Sequence, residues 1–143
     1  MPRTPAARPA PAAPSARSAL LLAGLLATAG AAHFAVPRPF DAVVPRALPG
    51  SPRAWTRASG VAELALAAGL LAPRTRRVSA RAAELFFVGV FPANVKMAHD
   101  WRHRSARARA LAYGRLPLQL PLVLWARHAG RAAGATGRTA GND

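Results

Sequence analysis

The chain contains no cysteine. Disulfides, thiol redox couples and thiolate metal sites are therefore excluded, so a redox role has to run through a bound cofactor or another subunit. Lysine occurs once, at Lys96, and five acidic residues face 20 basic ones. The arginines stand in the gaps between apolar stretches and form no amphipathic or aromatic-interleaved face. Despite a net charge of +15, that placement speaks against a nucleic-acid partner. Together with abundant alanine and proline, the arginine usage reads as a GC-rich coding bias. Motifs for nucleophilic catalysis, phosphate cradling or a dinucleotide fold are also missing.

What the chain does have is four apolar stretches, at residues 18–36, 54–72, 82–98 and 111–126. The first is free of formal charge over 19 residues, about 28 Å of helix at 1.5 Å per residue, enough to cross a bilayer. A cleavable signal sequence is the competing reading, because Arg17 precedes a leucine-rich centre and Ala27-Thr28-Ala29 resembles a cleavage site. Against it, the apolar run continues through Phe34 to Val36 and three more hydrophobic stretches follow. The expectation is an all-α domain over residues 18–126, a four-helix transmembrane bundle filling most of a chain of 143 residues. The Pro- and Arg-rich residues 1–17 and the Gly, Ala and Arg residues 127–143 read as disordered tails.

Local chemistry refines this picture. Five prolines between Pro37 and Arg57 prevent a long helix and predict a turn-rich cap between helices 1 and 2, with Phe40, Val43, Val44 and Leu48 pressing inward. Trp55 stands where an interfacial anchor is expected. Ala65 and Gly69, four apart, predict a close helix contact. Arg81 and Glu84 are spaced to pair on one helix face, Pro92 predicts a kink just before Asn94, and residues 100–109 read as a solvated connection among lipid headgroups. Arg115 would snorkel toward the interface. Counting basic residues does not decide the orientation; the Arg74–Arg77 cluster biases both termini toward the cytoplasm.

Each apolar stretch holds one polar residue that hydrocarbon should exclude: His33, Glu63, Asn94 and Gln119. Such residues cost about 1–3.5 kcal/mol on insertion scales and usually face a bundle interior. With antiparallel spans, all four fall between the bilayer middle and the capped face. Glu63 is hardest to explain structurally, since a carboxylate inside a span must be protonated, paired or wetted. His33 is its nearest partner by depth and Lys96 the second. Asn94 and Gln119 have a plainer role available, satisfying carbonyls that the prolines free. The four define a candidate polar pocket for a quinone headgroup, with Glu63 and His33 exchanging protons. Haem ligation is disfavoured, because His99, His103 and His128 sit at interfacial or exposed positions.

Several ordered segments resemble the DoxX-like small integral membrane proteins of bacteria. They are His33-Phe34-x-x-Pro37-x-x-Phe40-Asp41, Val44-Pro45-x-x-Leu48-Pro49, Gly60-Val61-Ala62-Glu63-Leu64, Leu71-Ala72-Pro73-Arg74-Thr75-Arg76-Arg77, Phe91-Pro92-Ala93-Asn94-Val95 and Leu116-Pro117-Leu118-Gln119. The resemblance implies a multi-pass protein of the bacterial inner membrane, an accessory or quinone-linked subunit of a membrane oxidoreductase and not an enzyme on its own. The thiol chemistry of some relatives does not transfer to a chain without cysteine. A proton- or small-molecule-conducting bundle and a purely structural membrane partner are the alternatives, and self-association through small-residue faces fits each of them.

Overall fold

In a computed structural model describing residues 14–45 and 47–139 the chain is all-helical, with five helices and no strand among those residues. Helix α1 spans Pro14–Ala35, α2 Pro37–Asp41, α3 Pro52–Leu71, α4 Arg76–Asp100 and α5 Ala106–Thr139. Helix α2 lies within the expected cap. The four long helices form two hairpins, α1 with α3 and α4 with α5, which meet through α3 against α4 and α1 against α5.

Helix ends follow local chemistry more closely than hydropathy. Helix α3 starts at Pro52 and not at residue 54, because the Ser51 hydroxyl accepts from the Ala54 amide at 3.2 Å and Pro52 needs no amide partner. At its other end, the Arg76 Nε donates to the Leu70 carbonyl at 2.9 Å and the Thr75 hydroxyl to that of Gly69 at 2.8 Å. The basic turn thus closes α3 and opens α4 directly, six residues earlier than the apolar pattern implied.

The largest departure is at the C-terminus. A disordered tail was expected from residue 127, yet α5 continues to Thr139. Ala126, Ala129 and Gly130 are buried, and a Cβ on Gly130 would lie 3.3 Å from that of Ala80. Small residues that look featureless in sequence here form a close helix contact. Residues 1–13 of the expected N-terminal tail and residues 140–143 of the C-terminal one lie outside the described residues; residues 14–17 already belong to α1.

Buried positions in α1 (Ala19, Leu22, Ala23, Leu26, Gly30, His33) and α3 (Thr56, Gly60, Glu63, Ala67, Leu70) recur every three or four residues, so each helix buries one narrow stripe. Leu22, Leu26 and Leu70 join Ala80, Ala83, Phe87 and Ala126 in a core built largely of alanine. The remaining faces are apolar as well: Leu21, Val61, Leu71, Val78, Leu85, Leu118 and Leu120 are all more than half exposed. Two helices, α1 from Ala16 and α4, are long and apolar enough to cross a membrane on length and composition.

The close approach of α1 and α3 occurs at Gly30 and Gly60. A Cβ on Gly60 would stand 2.7 Å from the Phe34 ring, 2.9 Å from the His33 Cβ and 3.1 Å from the Gly30 carbonyl oxygen. A Cβ on Gly30 would meet Leu64 at 2.9 Å and the Gly60 carbonyl at 3.0 Å. The expected contact at Ala65 does not form, since Ala65 faces outward; Gly69 instead abuts Thr75 and Ser79 at the α3–α4 turn. Gly60→Ala is expected to cost about 1–3 kcal/mol by forcing the helices apart. Gly24→Ala, which meets nothing within 4 Å, should be neutral or stabilising by about 0.4–1 kcal/mol. Equal unfolding midpoints for the two variants in detergent would disprove the crossing.

Candidate functional site

The four polar residues form two pairs, one per hairpin. In the first hairpin, Gly30 and His33 lie one turn apart on the buried stripe of α1, as do Gly60 and Glu63 on that of α3. The glycine crossing therefore brings the two polar side chains together. His33 Nδ1 lies 3.1 Å from Glu63 Oε2, and each residue is only 8% exposed. Nδ1 also lies 2.8 Å from the Ala29 carbonyl oxygen. Because a carbonyl can only accept, the Nδ1 proton belongs to that bond, and Nε2 of the neutral ring is left as an acceptor.

The Glu63 Oε2 is close enough to the imidazole for an ion pair but makes no hydrogen bond and is fully buried. An acceptor in that condition costs about 1–3 kcal/mol, more when charged, unless a proton, a water or a ligand donor meets it. Lys96, the second partner expected from sequence, pairs with Asp100 one turn further along α4.

The cap closes over this pair. The Phe40 ring stacks on the His33 imidazole with centroids 3.9 Å apart and planes inclined by 27°. Arg53, in the first turn of α3, holds the end of α2 through Asp41, with Nε 2.9 Å and Nη2 2.8 Å from Oδ2. Trp55 Nε1 donates to the Pro49 carbonyl at 2.7 Å, so its indole ties the cap to α3. Val43 packs with Met97, Ala98 and Ala112. The cap consequently lies at the same end of the bundle as the α4–α5 turn.

In the second hairpin, Asn94 Nδ2 donates to Gln119 Oε1 at 3.0 Å, and Gln119 Nε2 donates to the Phe87 carbonyl. Phe87 lies in the turn of α4 that Pro92 interrupts, one residue before Val88, whose carbonyl loses its regular donor. The plainer role foreseen for these amides, satisfying a carbonyl freed by a proline, is therefore not the one Gln119 takes: it bonds the carbonyl of Phe87, not that of Val88. No hydrogen bond or ion pair joins this amide pair to His33 or Glu63 among the described residues. The expected Arg81–Glu84 pairing does not form either; Glu84 lies 4.0 Å from Arg127, because α5 continues as a helix alongside it.

A family described as a domain of unknown function, DUF8561, matches residues 22–130. The chain belongs to the DUF8561 family. The match takes in most of α1, all of α2, α3 and α4, α5 as far as Gly130, and both polar pairs. No match was found among curated proteins or among solved structures.

Residue types alone did not point to three features of this DUF8561 site: the glycine crossing, the Phe40 stack and the Arg53–Asp41 bridge. The crossing had a legible sign, because Gly30-x-x-His33 and Gly60-x-x-Glu63 repeat one spacing on two helices. Among the described residues no group of three or more His, Asp or Glu converges as a metal site would require.

Two outcomes follow. Gln119→Leu removes the bonds to Asn94 and to the Phe87 carbonyl, leaves the Asn94 amide without its acceptor, and should cost about 1–3 kcal/mol in detergent unfolding; a cost no larger than that of Leu118→Ala on the outer face would refute the clamp. Asp41 is held below its ordinary value of 3.8, chiefly by its hydrogen bonds from Arg53. Its contribution is therefore complete above the ordinary carboxylate value and disappears as pH falls through the lower folded one. The unfolding midpoint should drop from about pH 6 to about pH 3 more steeply in the parent than in Asp41→Asn.

Proposed function

We propose that this DUF8561 protein is a multi-pass helical membrane protein in which α1, α3, α4 and α5 all cross the bilayer. Its His33–Glu63 pair binds a quinone-type headgroup beneath the cap, and the chain serves as an accessory subunit of a membrane oxidoreductase. The observation that carries this reading is the buried Glu63 Oε2 without a hydrogen bond, 3.1 Å from an imidazole whose Nε2 is still available.

The membrane part rests on the apolar outer faces. A helix apolar on all sides belongs in a large core or in lipid, and a chain of this size has no large core. The polar residues Glu63 of α3 and Gln119 of α5 face the partner helix of their own hairpin, away from the outer surface. The resemblance to DoxX-like proteins fits the same arrangement and the bacterial cell membrane.

The ligand part follows from what the pair is able to do. His33, its Nδ1 proton held by Ala29, accepts a hydrogen bond from a hydroxyl through Nε2 and takes the proton when the imidazolium forms. Glu63 stabilises that imidazolium at 3.1 Å. Phe34 lies beside the histidine and Phe40 stacks on it. When bound, a quinol supplies the protons and electrons, and the electrons leave through the partner oxidoreductase. Asn94 and Gln119 serve as a structural clamp in this reading. A continuous proton path is less well supported, since the second hairpin offers amides and no titratable group at that depth.

The protein purified in uncharged detergent should retain a quinone detectable by mass spectrometry, or bind a short-chain quinone analogue in a saturable way. His33→Ala and Glu63→Gln should each weaken binding about tenfold or more. If both variants bind the analogue as the parent does, the site is wrong. If the protein stays soluble without detergent, the membrane reading is wrong.

A further inference from the structure

A small cleft opens beside the histidine where α1, α2 and α3 meet, about 90 Å³ in volume and lined by His33, Phe34, Pro37, Arg53 and Arg57. Two guanidinium groups on the first turns of one helix and an imidazole share this cleft, and no carboxylate lines it. Asp41, the neighbouring acid, is already engaged by Nε and Nη2 of Arg53. That bridge fixes the guanidinium in place and leaves Nη1 uncommitted. Arg57 is exposed, one turn along the same face, and forms no ion pair within 4 Å among the described residues. Two forks presented side by side suit the tetrahedral oxyanion of a phosphoryl group, which arginine binds by paired charge-assisted hydrogen bonds.

The surroundings distinguish a lipid from a soluble phosphate. Phe34, 46% exposed, forms one wall of the cleft, and Val36, 56% exposed, lies two residues on in the link between α1 and α2. Trp55 lies between the two arginines in sequence and anchors the cap at 2.7 Å from Pro49. An amphiphile with its phosphate between Arg53 and Arg57 finds the exposed apolar side chains of Phe34 and Val36 at the end of α1. A free phosphate would have no use for those side chains.

We infer that this cleft binds the phosphodiester headgroup of an anionic lipid, with Arg57 as the principal contact and Arg53 as its pre-organised neighbour. The inference rests on the membrane reading but not on the quinone site. Solubility without detergent tests the first and quinone binding the second, so each fails separately.

The test uses the full chain, delipidated in uncharged detergent, with native mass spectrometry and the thermal unfolding midpoint as readouts. The probes are short-chain phosphatidylglycerol, phosphatidylcholine of equal chain length, and inorganic phosphate. Phosphatidylglycerol is expected to saturate at one molecule per chain and raise the midpoint, and phosphatidylcholine to bind at least about tenfold more weakly. Arg57→Gln should lose about tenfold or more in phosphatidylglycerol affinity, and Arg57→Lys should recover only part of it. Arg107→Gln removes an exposed arginine at the same end of the bundle and should bind like the parent. Equal losses in Arg57→Gln and Arg107→Gln would reduce the effect to net charge and overturn the site. Saturation by inorganic phosphate as tight as by phosphatidylglycerol would overturn the lipid as its occupant.

Discussion

Everything at the capped end depends on the backbone approach of α1 and α3 at Gly30 and Gly60. With no Cβ on either side, each glycine lets its partner's carbonyl come to about 3 Å of where a side chain would begin. The next turn of each helix carries His33 and Glu63, so the distance between those side chains is set by the crossing and not by their own attraction. Phe40 reaches the imidazole because α2 follows α1 after a single residue, and Arg53 then holds α2 through Asp41. A bulkier residue at the crossing would alter the ion pair, the stack and the cleft together.

The two hairpins handle buried polarity in opposite ways. Between α4 and α5, neutral amides bond one another and the backbone carbonyl of Phe87. Between α1 and α3, a carboxylate and an imidazole lie close while the carboxylate oxygen has no hydrogen bond. Amides suit a clamp because they exchange no charge; an acid next to a base suits a site because its state changes with a proton. In the proposed reading the chain separates the part that holds the bundle together from the part that binds a ligand. Both lie toward the end covered by the cap.

The bundle is held by many small contacts. Its core is mostly alanine with a few leucines and Phe87, and the larger leucines and valines point outward. In water that distribution would forfeit most of the apolar burial that stabilises a domain. In lipid it matches the pattern of close helix packing through small residues with bulky residues toward the chains. The burial of Ala129 and Gly130 extends this packing beyond the last apolar stretch, and Glu84 consequently meets Arg127 in place of Arg81.

Composition and spacing by themselves determined the helical class, the four long helices, the proline-rich interruption after the first, and the four polar residues worth attention. Those properties follow from apolar period, proline chemistry and the cost of polarity in an apolar run, all of which are local. Only the tertiary structure decided that the four residues form two pairs, that Gly30 and Gly60 carry the crossing in place of Ala65, that Lys96 turns to Asp100, and that α5 runs on past residue 126. Each of these depends on which helix faces which, and on how near small residues let them come. Depth along a helix is written in residue order; lateral position arises from packing between segments far apart in the chain.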